Sequence, residues 1–180
     1  MKLLLHICCG VCLGAPLKQL RNSGVDVIGF FYNPNIHPFL EFQKRLRALR
    51  IAQEAERLEL VCHEDYGLYE FLKAVRPDDV NRCEQCYLLR LRAAALAAKA
   101  QGCDAFATTL LISPHQKHER VRSVGEQVGA ETGVRFDYHD WRPLFHESHE
   151  QAKKRSLYRQ QYCGCIFSEY ERFRGADPRR

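Results

Sequence analysis

Seven of the nine cysteines fall into three short groups: Cys8, Cys9 and Cys12 as CCxxC, Cys83 and Cys86 as CxxC, and Cys163 and Cys165 as CxC. Thiols at such spacings suit metal ligation. Nine cysteines in 180 residues are too few for a secreted disulfide scaffold, and an odd count leaves one thiol unpaired in any intramolecular scheme. Cys83, Cys86, Cys163 and Cys165 match the ligand count of a tetrahedral zinc or of an iron–sulfur cluster, and count alone does not choose between them. A CxC step is tight for one zinc ion, whereas a cubane offers separate iron corners to neighbouring thiols. The structural alternative is a zinc knuckle tying the C-terminal stretch to the rest. Adjacent Cys8 and Cys9 bridge each other only through a strained ring, so with Cys12 they suit a metal that keeps one coordination position open, as catalytic sites do. Read structurally, the pair is two small buried residues at a strand end. Cys62 and Cys103 stand alone and are assigned to packing.

The elements that must bring these thiols together follow from apolar periodicity and turn residues. Strands are predicted at 2–7, 26–32, 59–63, 104–108 and 134–138. Between them the pattern predicts helices near 13–23, closed by Gly24, and from Phe39 to about Arg57, where Leu46, Leu49 and Ala52 recur at helical spacing. A shorter helix follows Tyr66 and breaks near Pro77; a long one runs from about Glu84 to Gln101, and another covers 115–131. Strands alternating with helices of this length imply an α/β fold: a parallel sheet of about five strands covered on both faces, in one domain over 1–180, with 142–180 as a helical extension carrying the last cysteines. In such sheets the reactive crevice lies beyond the carboxyl ends of the strands. The loops CCGVC, NPNIHP and TLLISPHQ would then meet at one rim, and the CxxC would open a helix, where free backbone N–H groups favour thiolate.

Composition sets the outer bounds. At 46% hydrophobic and 27% charged, the chain has the makings of a packed core and none of the signs of disorder. No apolar run approaches the roughly 20 residues that cross a bilayer, and the start MKLLLHICCG lacks a signal-peptide core, so no membrane association and a cytoplasmic location are expected. Of the net charge of +5, residues 142–180 carry +4. That excess permits contact with a phosphate backbone without establishing it.

Five segments, HICCGVC, FFYNPNIHPFLEFQKR, RCEQCYLLRL, DAFATTLLISPHQKHE and YRQQYCGCIFSEYER, together resemble the epoxyqueuosine reductases of the QueH type, in order and over nearly the whole chain. The resemblance implies a fold of the adenine-nucleotide alpha-hydrolase (HUP) group. It implies cobalamin-independent reduction of epoxyqueuosine to queuosine at the tRNA wobble position. It also implies a 4Fe-4S cluster on Cys83, Cys86, Cys163 and Cys165, and an additional iron on Cys8 and Cys9, with Cys12 as the third ligand. Removing the epoxide oxygen as water takes two electrons and two protons, hence an external low-potential electron donor. Tyr32 and His37, with His115, are the expected proton donors. Tyr32, Asn33, Asn35, Thr109, Ser113, His115, Arg159 and Tyr162 are expected to bind the substrate, with Gln116 and Phe39 beside them. Arg45, Arg155, Arg159 and Arg172 are expected at phosphates. His139, His146 and His149 are read as surface residues.

Two rivals remain on the residues alone. An ATP-dependent PP-loop enzyme would carry SGGxDS after the first strand, where this chain has CCGVCLG, too poor in glycine and hydroxyl groups to cradle pyrophosphate. A non-catalytic zinc-stabilised binding protein would use the same cysteines.

Overall fold

The computed structural model describes residues 1–77 and 79–174. Strands β1 (Lys2–His6), β2 (Asp26–Phe31), β3 (Leu60–Cys62), β4 (Ala105–Thr108) and β5 (Arg135–Phe136) form one sheet in the order β3-β2-β1-β4-β5. Every pairing is parallel. The expected α/β architecture is therefore the observed one. Strand β1 lies at the centre, and its Leu3, Leu4 and Leu5 are fully buried, because a parallel strand covered on both faces needs an unbroken apolar run rather than alternation.

Helices α1 (Gly14–Asn22) and α2 (Phe39–Glu56) carry the chain outward from β1 to β3. Then α3 (Leu68–Ala74) and α4 (Arg82–Ala100) return it past β2 and β1 to β4, and α5 (His118–Thr132) continues to β5. Right-handed crossovers that reverse direction place α1 and α2 on one face and α4 and α5 on the other. The strand order turns at β1 and β4, so the crevice opens beyond their carboxyl ends, beside Ile7 and Thr109.

Two elements differ from expectation. β5 covers only two residues, because beyond Asp137, whose N–H still reaches the Phe106 carbonyl, the chain leaves the sheet edge. The stretch predicted as helix at 115–131 begins at His118, since the Ser113-Pro114 step disfavours helix just before it. The C-terminal extension is helical as expected, with α6 (Phe145–Lys154) and α7 (Ile166–Phe173), but an irregular segment between them carries the CxC.

Candidate metal centre and cleft

β1 delivers its last residues into a single 3₁₀ turn, Gly10–Cys12. Gly10 is required there: a Cβ would lie 2.5 Å from the Ala48 carbonyl oxygen of α2, so only glycine lets the turn sit on that helix. The turn folds Cys12 back so that its Sγ is 2.9 Å from that of Cys9, which is 3.8 Å from that of Cys8. All three sulfurs lie within 4.8 Å of one another. A tetrahedral metal with bonds of about 2.3 Å holds its thiolates roughly 3.8 Å apart, so this donor set fits one metal ion with only small adjustment. Hydrogen bonds from the thiols of Cys12 and Cys9, with a further one from Thr109, hold the Cys8 thiol well below its ordinary range, while Cys12 is pushed well up by its bond to Cys8. Gln160, from the segment between α6 and α7, donates to the Cys9 Sγ at 3.0 Å.

The second thiol set is assembled from two places. Cys83 lies in the first turn of α4 and Cys86 one turn on, buried. Opposite them, the Cys163–Cys165 segment turns at Gly164, whose φ of +119° is a glycine conformation. Arg45 holds this segment by donating to the carbonyls of Cys163 at 3.1 Å and Tyr162 at 2.9 Å, and the His37 backbone N–H donates to the Gly164 carbonyl. Arg45 itself is buried against Glu41 at 2.7 Å, an i,i+4 pair on α2. The Cys163 and Cys165 sulfurs are 3.8 Å apart, and the Ser168 N–H at the start of α7 donates to Cys165. The Cys163 thiol is lowered to about 5, first by its bond from Cys165, whereas burial raises Cys86 to about 11.

All four thiols line a cavity of about 400 Å³. A neighbouring cavity of about 210 Å³ lies over Cys8 and Cys12. His115, Gln116, Gln161, Tyr162 and Cys163 border both cavities, so the two thiol sets line neighbouring cavities with a shared wall.

Several expected binding residues stand on this cleft: Ser113, His115, Gln116 and Tyr162. Thr109 backs it through Cys8, and Arg172 edges the larger cavity. Others do not reach it. Tyr32 lies off the cleft wall with its ring edge-on to His63 at 5.5 Å. Asn33 is buried and braces its loop by donating to the Ile7 carbonyl at 2.8 Å, and Asn35 is buried beside Gly164. His37 is fully buried against the rings of Tyr66 and Phe71, so the expected proton donation from it is corrected to a packing role. Arg45 borders the smaller cavity, but three of its donors are committed to Glu41 and to the carbonyls of Tyr162 and Cys163, so it serves to hold the CxC segment. Arg155 pairs with Glu56 at 2.6 Å, Arg159 is exposed, and Phe39 is half exposed and lines neither cavity. His149, expected only as surface, lines the smaller cavity with its ring 4.2 Å from that of Phe145. The sequence reading passed over Arg90, Glu41 and Gln160. The first two carry a usable signal, a charge four residues from a functional position on the same helix.

The sequence profile of the family described as "Epoxyqueuosine reductase QueH" matches residues 3–171. The chain belongs to that family. A QueH of Dehalococcoides mccartyi named epoxyqueuosine reductase is 44% identical over 172 residues, covering 96% of this chain and 94% of its own length. The Thermotoga maritima QueH of the same name is 33% identical and covers 94% and 91%. Among solved structures, a deacetylase of teicoplanin biosynthesis in complex with teicoplanin superposes with a TM-score of 0.50 at 12% identity over 86% of each chain, a likeness of fold alone. Membership of the QueH family displaces the PP-loop reading. No helix among the described residues is long and apolar enough to cross a membrane.

Proposed function

We propose that this chain reduces the epoxide of epoxyqueuosine in tRNA to the alkene of queuosine, consuming two electrons and two protons and releasing water. The observation that carries this reading is that the two thiol sets line neighbouring cavities with a shared wall. Cys8, Cys9 and Cys12 would hold one iron. Cys83, Cys86, Cys163 and Cys165 would hold a 4Fe-4S cluster. Among the described residues only the first trio gathers three ligand atoms within 4.8 Å. The other four line a cavity of about 400 Å³, which has room for an inorganic body larger than a single zinc ion. When bound, these centres would supply the electrons and a Lewis-acidic position for the epoxide oxygen.

The protein's part is to bind, orient and protonate. Gln116 and Gln161 stand where the cavities join, placed to hydrogen-bond a polar nucleoside, and Tyr162 with Phe145 offers apolar faces. His115, exposed at the same junction, is the proton donor this geometry favours in place of His37 and Tyr32. Arg159 and Arg172 are exposed near this mouth and suit phosphate contacts of the anticodon loop. Electrons come from an external low-potential donor, as befits a cytoplasmic reductase. The chain works as one unit, since the segment after Arg142 contributes two of the seven ligating thiols.

The test is anaerobic reconstitution with iron and sulfide, followed by incubation with epoxyqueuosine-containing tRNA and dithionite. The modified nucleoside should become lighter by one oxygen. Protein that takes up zinc alone, shows no iron–sulfide absorbance and leaves the epoxide intact would overturn the proposal.

A further inference from the structure

We propose that Arg90 is a positioning residue whose fixed positive charge, held between the two thiol sets, raises the reduction potential of the cluster bound by Cys83, Cys86, Cys163 and Cys165. This rests on the cluster assignment above and goes beyond it. Arg90 is 3% exposed and lies one helical turn after Cys86 on α4. Its Nε donates to the Cys86 carbonyl at 3.2 Å, its Nη1 reaches the Asn33 Oδ1 at 3.5 Å, and its guanidinium lies 5.7 Å from the Tyr87 ring centre. None of these partners is an anion. Arg45, the other buried arginine of the site, has Glu41; Arg90 has no such carboxylate among the described residues.

A buried guanidinium without a counter-ion is costly, and structures keep one where negative charge arrives from elsewhere. The nearby groups able to supply it are the thiols of Cys86 and Cys163 in one set and Cys8 in the other. Arg90 also lines the larger cavity, so its charge faces whatever the four thiols hold. Adding an electron to a cluster adds one negative charge. A fixed cation at short range in a poorly solvated site stabilises that reduced form more than the oxidised one, and the potential rises. Asn33 ties the same guanidinium to the other centre: its Nδ2 donates to the carbonyl of Ile7, the residue before Cys8. Arg90 is thus linked through Asn33 to the backbone beside the other centre.

The test is an EPR-monitored redox titration of the reconstituted wild type, Arg90→Met and Arg90→Lys. Loss of the charge in Arg90→Met should shift the reduction equilibrium at least tenfold toward the oxidised cluster, about 59 mV for one electron. Arg90→Lys should stay within threefold of wild type. An unchanged potential in Arg90→Met, or an equal shift in both variants, would overturn the proposal. Should Arg90→Met fail to load a cluster, Asn33→Asp puts a carboxylate against the guanidinium; its potential should fall, and an unaltered value counts against the idea. Wild-type protein without iron and acid-labile sulfide removes the cluster assignment and this inference with it, whereas a cluster indifferent to Arg90 removes the inference alone.

Discussion

The Thr109 hydroxyl is bonded twice to Cys8, accepting its backbone N–H at 3.0 Å and donating to its Sγ at 3.3 Å. Thr109 begins the turn after β4 and Cys8 follows β1, so this one side chain joins the two strands at the point where the sheet reverses its order. Thr109→Val should fold but lose about 1–3 kcal/mol, the cost of a buried N–H left without an acceptor. It should also slow alkylation of Cys8, because a hydrogen bond that favours its thiolate is gone. Thr109→Ser should restore both. Urea unfolding and mass-resolved iodoacetamide labelling provide the measurement.

Cys9→Ala should abolish deoxygenation of the tRNA and lower the iron bound per chain. Cys62→Ala should change neither, since Cys62 packs on the core from β3, away from both thiol sets. Nucleoside mass analysis and iron determination distinguish the two.

Arg45→Met should cost about 3–5 kcal/mol, because it strands the buried Glu41 carboxylate and leaves the carbonyls of Tyr162 and Cys163 without their donor. Adding Glu41→Leu should recover most of that stability in urea unfolding, while iron uptake stays impaired. Recovery of iron uptake in the double variant would mean that Arg45 serves the ion pair and not the CxC segment.

Gly164→Ala forces a side chain into a φ of +119° and against the Arg45 Nη1, 3.1 Å from the new Cβ. The variant should keep the sheet by circular dichroism yet bind less iron and sulfide, since the strain falls on the two thiols flanking the turn.

His6 is fully buried, with Nδ1 2.8 Å from the Thr108 hydroxyl, and burial followed by the charge of Arg90 holds its imidazole down at about 4. Between pH 6.5 and about 4 the unfolded chain binds a proton that the folded chain refuses. Stability from this group is therefore complete above pH 6.5 and falls with pH by up to about 1.4 kcal/mol per unit, on the order of 3 kcal/mol across the window. His6→Gln should flatten the dependence of unfolding free energy on pH in that range. A curve as steep as that of the wild type would refute the assignment.

Much of this arrangement was legible in the residues. The leucine run of β1, the alternation of strands and helices and the three cysteine groups lead to a parallel sheet with thiols at one rim, as observed. Other features have no short-range signature. Nothing near His37 announces that Tyr66 and Phe71 will close over it, because those rings arrive from the far side of β3. Asn33 and Asn35 read as surface loop residues, yet both are buried, and the Asn33 amide is consumed by the Ile7 carbonyl. Arg45 and Arg90 look like solvated helix charges until the CxC segment packs down on them. Long-range packing decides each of these cases.

The trio at Cys8–Cys12 extends directly from the central and most enclosed strand of the sheet. Its geometry is therefore set by the central strand together with α2, on which the Gly10 turn rests, so that one helix must keep its place while more distant elements are free to vary. Engineering effort belongs on the opposite wall, where Gln160, Gln161 and Tyr162 come from a segment outside the sheet.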